Sequence, residues 1–208
     1  EPSLMEVYQN TPDTFKYSQL ATVDGFEDKF EQMHGYSVAD KYHLIFTGDS
    51  DEAKIVRVNY RETVAEILSK TYFGALREFC EANGSKSSGH CLLEESMNYH
   101  AHYYGNLMQC LREMSIPGVD GLAMKTENYL SEGWPIFMAV KYASSVATLT
   151  DRDRLVMMET CATDLPSAMA YSDEQYKQFR TTLNNIFFDG ATPVSYTHLR
   201  AHETEADL

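Results

Sequence analysis

Short apolar runs alternate along the chain with longer stretches whose apolar residues recur every third or fourth position, and the runs lead into acidic residues. One run covers Ser87 to Leu93 and passes into Glu94-Glu95; another covers Arg154 to Met158 and closes on Glu159. A third is represented only by its exit, Glu1-Pro2-Ser3-Leu4. Between the runs the period is helical. A short helix is predicted near Gly25 to Met33, and a long one from Asp51, where Ile55, Val58, Val64, Ile67, Leu68, Tyr72, Leu76, Phe79 and Cys80 follow three- and four-residue spacing until Asn83-Gly84 ends it. Further helices are predicted over about His100 to Met114, Pro135 to Leu149 and Ser172 to Asp189. Ile116-Pro117-Gly118 stops the first of these, a strand Val119 to Met124 follows, and Gly190 opens a last strand.

Strand, helix, strand at this regularity implies right-handed crossovers and a parallel sheet with outer helices. A strand that stops on a carboxylate, repeated through such a chain, is how a (β/α)₈ barrel presents acids at its C-terminal rim. The fold expected is therefore α/β, a partial TIM barrel, since a full one takes roughly 250 residues. An open doubly wound sheet is the alternative, but no strand is followed by a glycine-rich phosphate loop, which removes its usual nucleotide function.

Composition narrows the partners. The formal net charge is −14, so no basic patch is available to neutralise nucleic-acid phosphates or an anionic membrane surface, while a neutral sugar remains compatible. No apolar stretch approaches the roughly 18 residues of a membrane span. Cys80, Cys91, Cys110 and Cys161 are widely spaced without a CxxC pair, which suggests neither a disulfide framework nor a zinc knuckle; three of them sit in apolar contexts and read as buried small hydrophobes. His100 and His102, two residues apart on a predicted helix, project to different sides, so no metal site and no cofactor are expected from them.

Four quoted stretches carry a resemblance: Gly89-His90 with Glu94-Glu95, Ile116-Pro117-Gly118-Val119-Asp120, Lys141-Tyr142-Ala143-Ser144-Ser145-Val146-Ala147, and Val156-Met157-Met158-Glu159-Thr160. In that order they resemble bacterial TIM-barrel glycosidases related to the α-L-rhamnosidases, over residues 1–192. The resemblance implies a glycoside hydrolase whose acid/base Glu closes strand four and whose second catalytic Glu closes strand seven. On that count Glu1 closes strand four, 87–93 is strand five, 119–124 strand six and 154–159 strand seven. The stretch from Val194 to Thr204 instead resembles an in-frame translation of a transposase sequencing adapter, so residues 193–208 are expected to be a non-biological tail.

Glycoside hydrolysis needs two carboxyl groups in different protonation states, one to protonate the leaving oxygen and one, ionised, to attack the anomeric carbon or activate water. Glu159 is the expected ionised partner and Glu1 the expected acid. Glu94 or Glu95 is the alternative acid; side by side on a predicted strand end they point in opposite directions, so at most one faces the sugar, and hydroxyl binding or a rim ion pair is the other reading. His90, Asn98, Trp134 and Lys141 complete the expected sugar contacts. Trp134, the single tryptophan, stands in a loop before a proline, where it would serve as a stacking platform or a helix-start packing residue, and His90 is read either as a core histidine or as a ligand contact. The partner expected is a carbohydrate, with no nucleic acid and no membrane. The functional alternative is a barrel that binds carbohydrate and lacks catalysis.

Overall fold

The computed structural model describes residues 20–121, 136–150, 155–160 and 173–195. Its elements in chain order are helix α1 (Phe26–His34), a 3₁₀ turn (Ala39–Lys41) with helix α2 (Tyr42–Phe46), helix α3 (Asp51–Leu68), a π-helical segment (Ser69–Gly74) and helix α4 (Ala75–Ala82). Strand β1 (Ser88–Gly89), helices α5 (Met97–Tyr103) and α6 (Leu107–Glu113), strand β2 (Ile116–Gly121), helix α7 (Ile136–Leu149), strand β3 (Met157–Thr160), helix α8 (Asp173–Asp189) and strand β4 (Thr192–Ser195) follow. The four strands form one sheet in the order β1-β2-β3-β4, and every adjacent pair is parallel. The fold class is α/β, as the alternation implies. No described helix is long and apolar enough to cross a membrane.

The caps follow the residue types. Ser50 accepts the Ala53 N–H at 3.1 Å to start α3, and Gly35, at φ 77°, ends α1. One core lies between the sheet and its helices: Val119 and Met158 meet Leu107 and Leu111 of α6, Ile136, Val140 and Ala143 of α7, and Ile186 of α8. A second, smaller core joins Phe26 and Phe30 of α1 to Tyr60 and Val64 of α3.

Three expectations are corrected. The strand over 87–93 shrinks to Ser88–Gly89, because Leu93 takes a left-handed φ of 59° and turns the chain out of the sheet. The helix over 100–114 breaks into α5 and α6 at Gly105, whose φ is 70° and where a Cβ would stand 2.3 Å from the Arg61 carbonyl oxygen. Ile116-Pro117-Gly118 is strand and not stop: Ile116 N–H bonds the Ser87 carbonyl at 3.0 Å, and Gly118 admits a backbone approach that a Cβ, 2.1 Å from the Gly89 oxygen, would block. On the long helix the buried stripe is Ala53, Val56, Tyr60 and Val64, while Ile55, Val58, Leu76 and Phe79 are exposed. Strand β4 includes Val194 and Ser195, both within the stretch expected to be an adapter tail.

Thr71 sits in the π-helical segment, where the extra residue per turn brings Lys70 and Arg77 together on Glu113 of α6. Arg77 Nη1 lies 2.5 Å from Glu113 Oε2, and Lys70 binds the other oxygen. Burial alone would raise the Glu113 carboxyl, but the hydrogen bonds from Lys70 and Arg77 outweigh it and leave it below the ordinary carboxylate range. A carboxyl held low stabilises the fold above its unfolded pKa and loses that contribution as pH falls through its folded value. Glu113→Gln is therefore expected to cost about 2 kcal/mol at pH 7, the half-exposed Lys70 adding little. The gap between the urea midpoints of the two proteins should narrow below about pH 4.

Candidate active site

Alternation along β2 and β3 sorts the side chains. Val119 and Met158 face the helices, so Asp120 and Glu159, one residue further along each strand, face the opposite side of the sheet. The two acids are register partners on neighbouring parallel strands. His90 follows the last residue of β1, the next strand over, so the three residues converge where the strands end.

His90 Nε2 stands 2.8 Å from Glu159 Oε2. Its Nδ1 stands 2.8 Å from the Cys91 carbonyl oxygen and 3.9 Å from Glu94 Oε1. Both ring nitrogens thus face acceptors. An imidazole that donates from Nε2 to Glu159 puts a proton between the two side chains, within reach of acid–base transfer.

The turn after His90 is fixed by buried side chains. Tyr104, fully buried, receives the Leu92 N–H on its hydroxyl at 2.7 Å, and His100 Nε2 donates to the Glu94 carbonyl at 2.5 Å. Glu94 is 1% exposed, and its Oε1 accepts the N–H of Cys91 at 2.6 Å and of Asp120 at 3.3 Å. Burial pushes its carboxyl well above the usual range; the backbone hydrogen bonds act against this and the nearby Asp120 charge adds to it. Burial also raises Glu95 and lowers His100.

One oxygen each of Asp120 and Glu159 and one nitrogen of His90 all lie within 4.8 Å of one another. Two carboxylates and an imidazole in that span could close around one divalent cation, calcium or magnesium through the oxygens or zinc with the nitrogen.

The structure thus gathers His90, Glu94 and Glu159 of the expected residues at one end of the sheet. Glu94 and Glu95 sit in a turn and not on a strand, so the pleat does not separate them, and both are buried. Asn98 falls in α5. Lys141 stands on α7 and pairs with Asp189 at the end of α8, 2.8 Å from its Oδ1, on the side where β4 begins. That contact points it along the helix layer and not to the His90 cluster. His100 is buried and His102 exposed, projecting apart as their spacing predicts. Cys91 and Cys110 are buried free thiols, and burial first, then the Glu113 charge, pushes the Cys110 thiol up to about 12. Glu1, Trp134 and Cys161 lie outside the described residues. Asp120 is the member that sequence reading did not assign; the interstrand register that sets it beside Glu159 is not written in spacing along the chain.

Comparison with known proteins adds a relation at low identity. No protein-family profile matches the chain. It is 22% identical over 142 residues to a protein named "Putative beta-glucuronidase" from Formosa agariphila, across 66% of this chain and 11% of that protein. Its backbone is similar to that of a rhamnosidase from Novosphingobium sp. PP1Y, with a TM-score of 0.63 at 20% identity, across 85% of this chain and 16% of that one. Both relatives carry glycosidase names, and the chain spans about a tenth and a sixth of their lengths.

Proposed function

We propose that the protein is a glycoside hydrolase of TIM-barrel type, residues 1–192 forming its C-terminal strands and helices, related to the α-L-rhamnosidase-like enzymes. The observation that carries the reading is the 2.8 Å contact of His90 with Glu159 at the exit of a parallel strand, with Asp120 in register beside it. Clustered acids and an imidazole at the C-terminal ends of parallel strands are where barrel enzymes place their chemistry. In this reading Glu159 is the ionised carboxylate that attacks the anomeric carbon or activates water, and Glu1 is the proton donor. Asp120 shares the position of Glu159 instead of facing it across a sugar: their oxygens lie within 4.8 Å, below the about 6.5–9.5 Å that leaves room for water between opposed carboxyls.

A second reading is favoured by the same three donors: a divalent cation held by His90, Asp120 and Glu159 that polarises an oxygen of the substrate. One experiment separates these readings and the non-catalytic alternative. The full-length protein, assayed on a panel of aryl glycosides, should release the phenol from at least one, with turnover unchanged after dialysis against a chelator. Loss of turnover on chelation, restored by calcium or zinc, would select the cation reading. No release from any substrate that nonetheless binds would select a carbohydrate-binding barrel.

A further inference from the structure

We infer that Glu94 is a positioning residue, its buried carboxyl tying the end of β1 to the end of β2 and thereby fixing where His90 meets Glu159. The inference deepens the glycosidase reading, on which it rests for its activity readout alone.

Glu94 has little surface to offer a substrate. At 1% exposure it is among the largest fully buried side chains of the described residues. What it touches is backbone: one oxygen takes the N–H of Cys91 at 2.6 Å and of Asp120 at 3.3 Å. These amides belong to two different strands' exits. Cys91 directly follows His90, and its carbonyl in turn faces His90 Nδ1 at 2.8 Å, so Cys91 is gripped at its N–H by Glu94 and at its carbonyl by the imidazole. Asp120 is the residue whose register sets it beside Glu159. A single carboxyl oxygen therefore spans from the peptide that aims His90 to the peptide that carries Asp120.

The chain accepts strain to put Glu94 there. Leu93 holds φ at 59°, a left-handed conformation that costs a leucine about 1–3 kcal/mol and that folds Glu94 back over the residue three positions earlier. Buried groups hold that turn in place, Tyr104 through the Leu92 N–H and His100 through the Glu94 carbonyl. A turn fixed by three side chains and a strained residue has little freedom left, and the Cys91 carbonyl that faces His90 lies within it. The function of this turn is to orient the imidazole.

The role depends on an acceptor oxygen and not on a transferable proton, and that distinction makes it testable. Glu94→Gln keeps an oxygen in place for both amides, whereas Glu94→Met keeps the volume and removes the acceptor. In the full-length protein, on the aryl glycoside turned over fastest, Glu94→Gln should retain kcat and KM within about threefold of the unaltered protein. Glu94→Met should lose about a hundredfold in kcat with KM little changed, because a site misplaced by a fraction of an ångström binds but reacts slowly. Equal large losses in both variants with unchanged melting would overturn the inference, since they would mark Glu94 as the proton donor. An unaltered kcat in the Met variant would overturn it as well.

Hydrogen exchange read by mass spectrometry gives a measurement that needs no activity. Peptides spanning 88–96 and 116–121 should keep the protection of the unaltered protein in Glu94→Gln and lose it in Glu94→Met, even if no glycoside in the panel is cleaved. Protection lost in Glu94→Gln, or kept in Glu94→Met, would contradict the clamp. If Glu94→Met does not fold, the Gln variant decides through kcat and through the protection of these two peptides.

Discussion

Glu159→Gln is expected to slow hydrolysis by about a thousandfold or more while leaving sugar binding in place. Glutamine keeps the side chain's shape and its reach to His90 but carries no negative charge, so it cannot stabilise or attack a developing oxocarbenium carbon. Losing an essential nucleophile or base removes several kcal/mol of transition-state stabilisation, each 1.36 being roughly tenfold in rate. The melting temperature should hardly move and is expected to rise slightly, because Glu159 shares its space with the carboxylate of Asp120. A Glu159 that served only as one half of a surface ion pair would give the reverse: under about 1 kcal/mol of lost stability and unaltered turnover. Steady-state kinetics beside a thermal melt distinguishes the two.

The second large effect is expected at His90. His90→Asn removes the ring nitrogen that stands 2.8 Å from Glu159 and with it the hydrogen bond between the two side chains. Positioned proton transfer contributes about 10²–10⁴-fold in such sites, so kcat should fall by at least a hundredfold. KM should change far less, since the imidazole meets Glu159 and the Cys91 carbonyl of its own turn. Glu159→Gln combined with His90→Asn should cost little more than either alone, as residues acting as a unit do.

Much of this was legible in the sequence, and the boundary between what was and was not has physical causes. Helices α1, α7 and α8 lie within two residues of their expected bounds, because amphipathic period, acidic starts and glycine stops are local signals. The strand that carries Glu159 was legible as an apolar run between a helix and a polar stretch, although it runs over Met157–Thr160 and passes Glu159 by one residue. The turn at Leu93 was not: a leucine with positive φ carries no glycine or asparagine to announce it, and it exists only because Tyr104 and His100, seven or more residues away, hold it. The π-helical segment was hidden for a similar reason, since Lys70 and Arg77 turn to Glu113 across a gap of more than thirty positions. Apolar period marked the helices α3 and α4 but not their buried face, which on α3 runs through Ala53, Val56, Tyr60 and Val64 while Ile55 and Val58 are exposed. Asp120 stood inside a quoted motif without a role because register between strands, and not spacing along one, brings it to Glu159. Lys141 shows the converse: a residue singled out by a motif, it is held by Asp189 on the helical layer.

Taken together, His90, Asp120, Glu159 and the Glu94 clamp form one device at the exits of three neighbouring parallel strands. The most direct measurement of that claim is a crystal structure of full-length Glu159→Gln soaked with the oligosaccharide corresponding to its best aryl glycoside. The account predicts an intact sugar whose scissile anomeric carbon lies within about 3–3.5 Å of the residue 159 side chain, a near-attack distance, with His90 still bonded to it. Sugar bound elsewhere, with residue 159 and His90 out of its reach, would contradict the account.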